Sequence, residues 1–283
     1  MGKRRKKRPG RHTTKLALEP YNFMSETDGI QASLLNRIWR TLITGLGFVL
    51  FGICGLFLSL IWFSILRIAI KDPQHRNLAT QNTIRLTFKG YLACMRFLGA
   101  LDYTFHNLER LQEDNGCLIV ANHPSLLDYV LLASIMPRCD CIVKEALLRN
   151  FFIRGVIKTA GYIPNSAIDL LLPACKARLA QKGMLLIFPE GTRTNPGQAI
   201  KLQRGAAQIA LRLEADIRIV HIQCVPPLLT KQSKWYHTPR IKPTFNIVIQ
   251  DKIEVKSFIT EKDLSLAIQA RRLTQHISNL LNV

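Results

Sequence analysis

Two residues that could do chemistry stand in the run Ala121-Asn-His-Pro-Ser-Leu-Leu-Asp-Tyr-Val130: His123 and Asp128, five positions apart and otherwise surrounded by apolar neighbours. An imidazole takes up and returns protons near neutral pH. A carboxylate bonded to one ring nitrogen fixes the tautomer and stabilises the imidazolium formed at the other. The pair is a candidate general base with its orienter. The spacing is about one and a half helical turns, so Asp128 can reach back if His123 lies just before a helix. The same residues fit a competing reading, in which Asn122 or His123 caps a helix and Asp128 is a solvated helix residue. A second segment, Met184 to Thr194 (MLLIFPEGTRT), is a strand pattern running into Pro-Glu-Gly-Thr-Arg. Gly191 would let backbone N–H groups approach an anion, and Arg193 offers a planar fork for phosphate or carboxylate. Alone, this segment is also compatible with an ordinary turn and a surface arginine.

These residues need a frame that brings them together. Short runs rich in branched and aromatic residues read as strands at Tyr103 to His106, Cys117 to Ala121, Cys139 to Val143, Met184 to Phe188, Ile217 to Gln223 and Phe245 to Ile249. Helical patterns fall between and after them, at Pro124 to Ile135, a pair over Glu145 to Thr159, Ile168 to Gln181, Leu202 to Glu214 and Glu261 to Leu281, the last with a capping box of Thr260 and Asp263. A further helix over Ile84 to Leu101 alternates basic and large apolar residues and would cover the core or lie on a membrane. Strands alternating with helices predict an α/β fold with a largely parallel sheet, in which reactive groups gather at the carboxyl ends of strands. His123 follows one such strand directly.

The amino-terminal part has a different composition. Residues 1–40 form a basic tail that includes Lys3, Arg4, Arg5, Lys6, Lys7, Arg8 and Arg11. Residues 41–66 carry no charge and are long enough for a transmembrane helix, while Gly45, Gly47, Gly52 and Gly55 would equally permit a re-entrant hairpin. Residues 67–283 hold the candidate chemistry. Basic residues flank the apolar stretch on both sides, which favours the cytoplasmic side for the catalytic part, hence an inner membrane in a bacterium. The formal charge of +20 favours anionic partners: lipid headgroups, an acidic carrier protein or nucleic acid. The neighbouring apolar segment points to lipid, and nucleic acid is not expected. A membrane-tethered nucleic-acid binder remains the alternative of another class, resting on Lys231-Gln-Ser-Lys-Trp-Tyr-His237. The seven scattered cysteines contain no Cys-x-x-Cys pair and read as reduced thiols. His106, His123, His221 and His237 lack metal-ligand spacing.

Over about Phe105 to Pro227 the chain resembles the glycerolipid acyltransferase family, which includes the 1-acyl-glycerol-3-phosphate acyltransferases. The resemblance rests on His123-Pro-Ser-Leu-Leu-Asp128, on Phe188-Pro-Glu-Gly-Thr-Arg193, and on the later apolar block Val220-His-Ile-Gln-Cys-Val-Pro226. It implies the acyltransferase fold, His123 as general base and Asp128 as its orienter. It assigns Glu190, Gly191 and Thr192 to the acceptor pocket and Lys144 with Arg193 to a phosphate clamp. It also implies a thioester donor on acyl carrier protein or coenzyme A, a lysolipid acceptor and no other cofactor. One departure concerns the acceptor: the family commonly carries an arginine soon after the position of Gly161, whereas this chain reads GYIPNSAIDLLLPACK, with no basic residue before Lys176. An acceptor without glycerol phosphate is the alternative, with Asn165 and Ser166 either bonding its headgroup or making a turn.

Overall fold

The computed structural model describes residues 34–149, 151–165, 168–259 and 264–282. The basic tail through residue 33, Ser166, and the Thr260 and Asp263 cap lie outside these.

Among the described residues, seven strands form one sheet in the order β1-β7-β6-β2-β5-β3-β4. The strands are β1 (Asp102–His106), β2 (Leu118–Ala121), β3 (Cys139–Lys144), β4 (Ile163–Asn165), β5 (Met184–Ile187), β6 (Ile217–Val225) and β7 (Thr244–Ile253). Every neighbouring pair is parallel except β6 and β7. The alternating order of strands and helices accounts for the parallel part. The antiparallel pair arises because no helix separates β6 from β7, so the chain returns through an irregular loop and pairs with the strand it has just left.

Strand side chains alternate between the two faces, and each face has its own cover. Ile119, Ala121, Leu186 and Ile222 pack with Leu92 and Met95 of α3 (Pro73–Phe97) and with Leu131 and Leu132 of α5 (Asp128–Ile135). Leu118, Val120, Leu185 and Ile219 pack with Cys175 of α7 (Ile168–Ala180), Ile209 of α8 (Gly205–Leu213) and Leu273 of α10 (Leu266–Leu281). The central strands β2 and β5 are buried throughout, which explains their continuous apolar sequences.

This layering also locates a crevice. The parallel neighbours β2 and β5 are followed by helices on opposite faces of the sheet, α5 on one and α8 on the other. Their exit loops therefore diverge, and a cleft opens at the carboxyl ends of the two strands.

Several elements depart from the sequence expectation for identifiable reasons. Helix α3 starts at Pro73, well before Ile84, because Asp72 caps it by accepting the His75 N–H at 2.8 Å and Pro73 suits the first turn. Helix α5 starts at Asp128 and not Pro124, since residues 122–127 are held in a loop by bonds described below. Strand β4 was not anticipated; three residues are too few to show a period. The described part of α10 starts at Leu266, with Glu261 outside the described residues.

The apolar amino-terminal stretch is helical without reversal from Leu34 to Ala69, as α1 (Leu34–Phe57), a π-helical turn at Leu58–Trp62 and α2 (Phe63–Ala69). It is long and apolar enough to cross a membrane. One side packs on the rest of the protein: Gly47 against Met95 and Tyr91, Gly45 against Trp235, Phe51 stacked on Phe88, and Phe63 fully buried. The other side leaves Leu42, Leu46, Val49, Ile53, Leu60 and Ile65 exposed.

At the amino ends of β2 and β6 the guanidinium of Arg218 grips the Asp114 carboxylate in a fork, Nε to Oδ2 at 2.6 Å and Nη2 to Oδ1 at 2.8 Å, with both side chains nearly sealed from solvent. Removing one partner strands the other charge. Asp114→Ala is expected to cost about 3–5 kcal/mol, read as a lower denaturant midpoint, and the paired replacement Asp114→Leu with Arg218→Met should recover most of it. A midpoint unchanged in the single variant would contradict this.

Candidate active site

The loop after β2 places His123 at the mouth of the crevice. Asn122 first extends the strand pairing with its side chain: Nδ2 donates to the Ile222 carbonyl at 2.8 Å and Oδ1 accepts the Ile222 N–H at 2.6 Å. The chain then leaves the sheet, and residues 123–127 are fixed from two sides. Ser125 Oγ donates to the Leu228 carbonyl at 2.9 Å and the Leu126 N–H donates to the Leu229 carbonyl at 3.1 Å. These bonds keep the segment out of α5 and set its first residue, Asp128, below the imidazole.

His123 Nδ1 and Asp128 Oδ2 are 2.8 Å apart, and the same oxygen accepts the Ser125 N–H at 2.7 Å. The Asp128 side chain is fully buried, whereas that of His123 is 21% exposed. The imidazole lies on the Phe188 ring, with centroids 4.3 Å apart and planes 24° apart. One face and one nitrogen of the ring are thus occupied, an arrangement in which the remaining nitrogen can take up a proton. Burial pushes the Asp128 carboxyl above its ordinary value, opposed by its bond to His123, the Ser125 N–H and the charge of Arg193. The reading of Asp128 as a solvated helix residue is therefore wrong: it sits at the helix start, but inside the protein.

The loop after β5 reaches the same place. Glu190 is buried, and its Oε1 accepts the His123 backbone N–H at 2.6 Å while Oε2 takes the Thr194 hydroxyl. The Thr194 N–H donates back to the His123 carbonyl at 3.0 Å. Glu190 thereby ties the two loops together. Burial raises its carboxyl, and the His123 N–H pulls it back. Gly191 sits at φ +68°, a region that favours glycine, and its N–H donates to the Phe188 carbonyl at 3.1 Å. That amide closes the turn, and an added Cβ would meet nothing within 4 Å. Thr192 is exposed beside it.

Arg193 Nη1 donates to the Leu229 and Thr230 carbonyls at 2.8 and 3.1 Å. The arginine therefore anchors the loop after β6 as well as facing a cleft. That cleft, about 490 Å³, is lined by Glu190, Thr192, Arg193, Thr194, Asn195, Gln198, Ala199, Lys201, Gln203 and Lys231. Lys144, the last residue of β3, is exposed on the far side of β5 and is not among its lining residues. Lys144 is instead in register with Asn165 of β4. Gly161 lies at the amino end of β4, where its φ of +69° and the close approach of Arg178 and Asn77 account for a glycine.

Sequence reasoning did not single out Phe188 as the ring beneath His123, Ser125 and Thr194 as loop pins, or Lys201 and Lys231 as cleft residues. Phe188 opens the second motif, Thr194 directly follows it and Ser125 lies inside the first, so their place in or beside the motifs was the available signal. Nothing local in the sequence marks the two lysines.

Known proteins share the fold and part of the sequence. Residues 102–225 match the sequence model of the Acyltransferase family. The chain is 26% identical over 157 residues to human 1-acyl-sn-glycerol-3-phosphate acyltransferase beta, covering 53% of this chain and 54% of that protein. It is 37% identical over 121 residues to a Helicobacter pylori 1-acyl-sn-glycerol-3-phosphate acyltransferase, covering 40% of this chain and 51% of that one. The matched region thus spans about half the length of these relatives. The crystal structure of the 1-acyl-sn-glycerophosphate acyltransferase from Thermotoga maritima has the same fold, with a TM-score of 0.63 and 20% identity over 86% of this chain and 97% of that one. Residues 102–225 thus match the Acyltransferase family model, and the two motifs of that stretch meet in one crevice.

Proposed function

We propose that this protein moves a fatty acyl group from a thioester, on acyl carrier protein or coenzyme A, to a hydroxyl of a lysophospholipid or glycerol-phosphate-type acceptor. The 2.8 Å contact between His123 and a fully buried Asp128 carries the proposal, because it leaves one imidazole nitrogen free at the mouth of the crevice. That nitrogen removes the acceptor hydroxyl proton as the oxygen attacks the thioester carbonyl. The tetrahedral intermediate then collapses, the C–S bond breaks, and the imidazolium returns the proton to the departing thiolate. The chain contains no Gly-x-Ser-x-Gly elbow, so direct transfer is preferred to a serine acyl-enzyme. A positioned base supplies about 10²–10⁴-fold, and the rest rests on holding donor and acceptor together and on donors to the oxyanion.

Arg193 and the polar cleft suit an anionic headgroup, with Glu190 holding the walls together and Gly191 and Thr192 forming the lip. In this reading Lys144 stands at the opposite rim, across β5. The lack of a basic residue between Gly161 and Lys176 favours a second reading, an acceptor without glycerol phosphate. Arg178 and Asn77 fill the surroundings of Gly161 itself, at the amino end of β4.

The exposed apolar side of α1 and α2 supports attachment to a membrane. The helix is held at both ends, by Thr41 bonding Thr238 at 2.6 Å and by buried Phe63 and Leu66, so it lies along the domain. A helix held this way inserts its outer stripe into one leaflet more readily than it crosses both. The basic flanks support a cytoplasmic side for the domain.

With acyl-carrier and coenzyme A donors and a panel of lysolipids, monoacylglycerols and amino-lipids, His123→Ala is expected to lower product formation by at least about 10²–10⁴-fold. Equal product from wild type and variant would remove the mechanism. Asp128 adds a second readout. Its folded-state pKa is raised by burial, so its contribution favours folding below the ordinary carboxylate value and is lost as pH rises through the folded value. Ionising the buried side chain therefore costs stability. Asp128→Asn should therefore lose about 10²–10⁴-fold in activity yet melt no lower than wild type at pH 7, with any advantage shrinking toward about pH 4. Retained activity, or a melting difference that grows as pH falls, would count against the assigned role.

A further inference from the structure

The stretch Lys231 to His237 has no part in the proposed chemistry beyond Lys231, which borders the cleft. It lies in the loop between β6 and β7, residues 226–243, which carries Lys231, Lys234, Arg240 and Lys242 and no acidic residue. Local bonds fix the backbone of this loop. Ser233 bonds Thr230 through both its N–H and its hydroxyl at 3.3 Å, the His237 N–H donates to the Lys234 carbonyl at 2.9 Å, and Thr238 bonds Thr41 of α1 at 2.6 Å. The loop nevertheless leaves Trp235, Tyr236 and Ile241 exposed, by 50%, 43% and 44%. Large apolar side chains gathered on a fixed backbone mark a contact surface.

Charge narrows what can cover that surface. Arg37, Lys234 and Arg240 are exposed, while Arg40 is buried with its Nε unpartnered and its Nη2 on the Arg240 carbonyl. No ion pair involves any of these four among the described residues. Asp102, which pairs with Lys242 at 3.0 Å, is shared with Arg96 at 2.6 Å. Cations gathered without acids repel one another, and an anionic partner relieves them. The aromatic pair adds a second requirement. Trp235 meets Tyr236 edge-on with centroids 5.5 Å apart, and Lys234 Nζ stands 5.6 Å from the Tyr236 centroid. Rings with an apolar body and a polar tip, next to an ammonium group, suit the boundary between hydrocarbon and water.

Position decides between a bilayer and an acidic protein. Trp235 packs on Gly45 and Phe48 of α1. Tyr236 closes a cavity of about 340 Å³ with Leu34, Arg37, Ile38, Thr41 and Leu42. Ile38 and Leu42 belong both to that cavity and to the exposed apolar side of α1, so loop and helix present one continuous surface. Cations beside such a surface match a headgroup layer, whereas an acidic protein would leave the apolar stripe wet. We propose that the β6–β7 loop is a second membrane contact beside α1. Trp235, Tyr236 and Ile241 rest at the hydrocarbon boundary, and Arg37, Lys234 and Arg240 hold anionic phospholipid headgroups. This contact stands apart from the acyl-transfer chemistry and does not depend on it.

The tryptophans of the chain, Trp39, Trp62 and Trp235, allow a test that needs no turnover. Full-length proteins keeping one tryptophan each, with phenylalanine at the other two positions, are reconstituted into vesicles of phosphatidylcholine alone or mixed with phosphatidylglycerol. Trp235 fluorescence is expected to be quenched by lipid brominated near the headgroup end of its chains, about two-fold more strongly in the mixed vesicles. Arg37→Gln combined with Lys234→Gln should abolish the extra quenching. Wild type compared with Trp235→Phe gives the same quantity with Trp39 and Trp62 intact. Quenching of Trp39 or Trp62 without Trp235 overturns the loop contact and leaves the helix attached; quenching of none overturns both. Equal quenching in the two kinds of vesicle, or an excess that survives the double variant, overturns the headgroup assignment. A Trp235 that lipid does not quench but whose emission shifts on adding acyl carrier protein would give the loop to the carrier and overturn the bilayer contact.

Discussion

A carboxylate sealed from water underlies the whole site. Asp128 has no exposed surface, so its charge depends on what meets it: His123 Nδ1 at 2.8 Å and the Ser125 N–H at 2.7 Å, both on one oxygen. Those partners must be held as firmly as the carboxylate, because a buried charge whose partner drifts away loses its compensation. The loop carrying them is accordingly pinned by Ser125 and Leu126 to Leu228 and Leu229. The second motif then reaches across, where Arg193 grips the Leu229 and Thr230 carbonyls. Two sequence motifs and the loop after β6 thus close around one imidazole, and none of the three could hold it alone.

Glu190 does comparable work one layer up. The family resemblance places it in an acceptor pocket, and it does border the cleft. Its oxygens, however, are spent on the His123 N–H and the Thr194 hydroxyl, while Thr194 returns a bond to the His123 carbonyl. The residue therefore fixes the backbone of the proposed base. Gly191 shows the same economy, because its amide closes the turn at Phe188 and its special requirement is the φ of +68°.

The strand runs and the spacing of His123 to Asp128 were legible because they are local: branched residues in short bursts, and a turn and a half between two polar groups. The largely parallel sheet followed from the alternation of elements. What remained hidden depends on partners far along the chain. Asp128 begins its helix where it does because of Ser125 and residues about a hundred positions later. The antiparallel return of β7 follows from a missing helix, which a strand pattern by itself does not announce. Arg193 could be read as a fork for anions, but its hold on Leu229 and Thr230 needed the fold, as did the approach of Lys201 and Lys231 to one cleft. Chemistry-bearing residue types were visible in sequence; their long-range partners were not.

The loop after β6 also links the site to the apolar helix. Its beginning, Leu228 to Thr230, is bonded to both motifs. A few residues on, Trp235 packs against Gly45 and meets Phe48 edge-on at 6.4 Å between ring centroids, Thr238 bonds Thr41, and the Arg240 carbonyl accepts from Arg40. An apolar surface and a polar cleft are thus held at a fixed offset by a single short stretch of chain. For an amphiphilic substrate this offset matters more than either surface alone: a hydrocarbon tail can stay with the helix while the headgroup reaches the cleft only if the two are in register. Bonding of the loop at both ends keeps that register, and on the proposed reading the depth of the exposed stripe of α1 in lipid would set where an acceptor hydroxyl stands relative to His123.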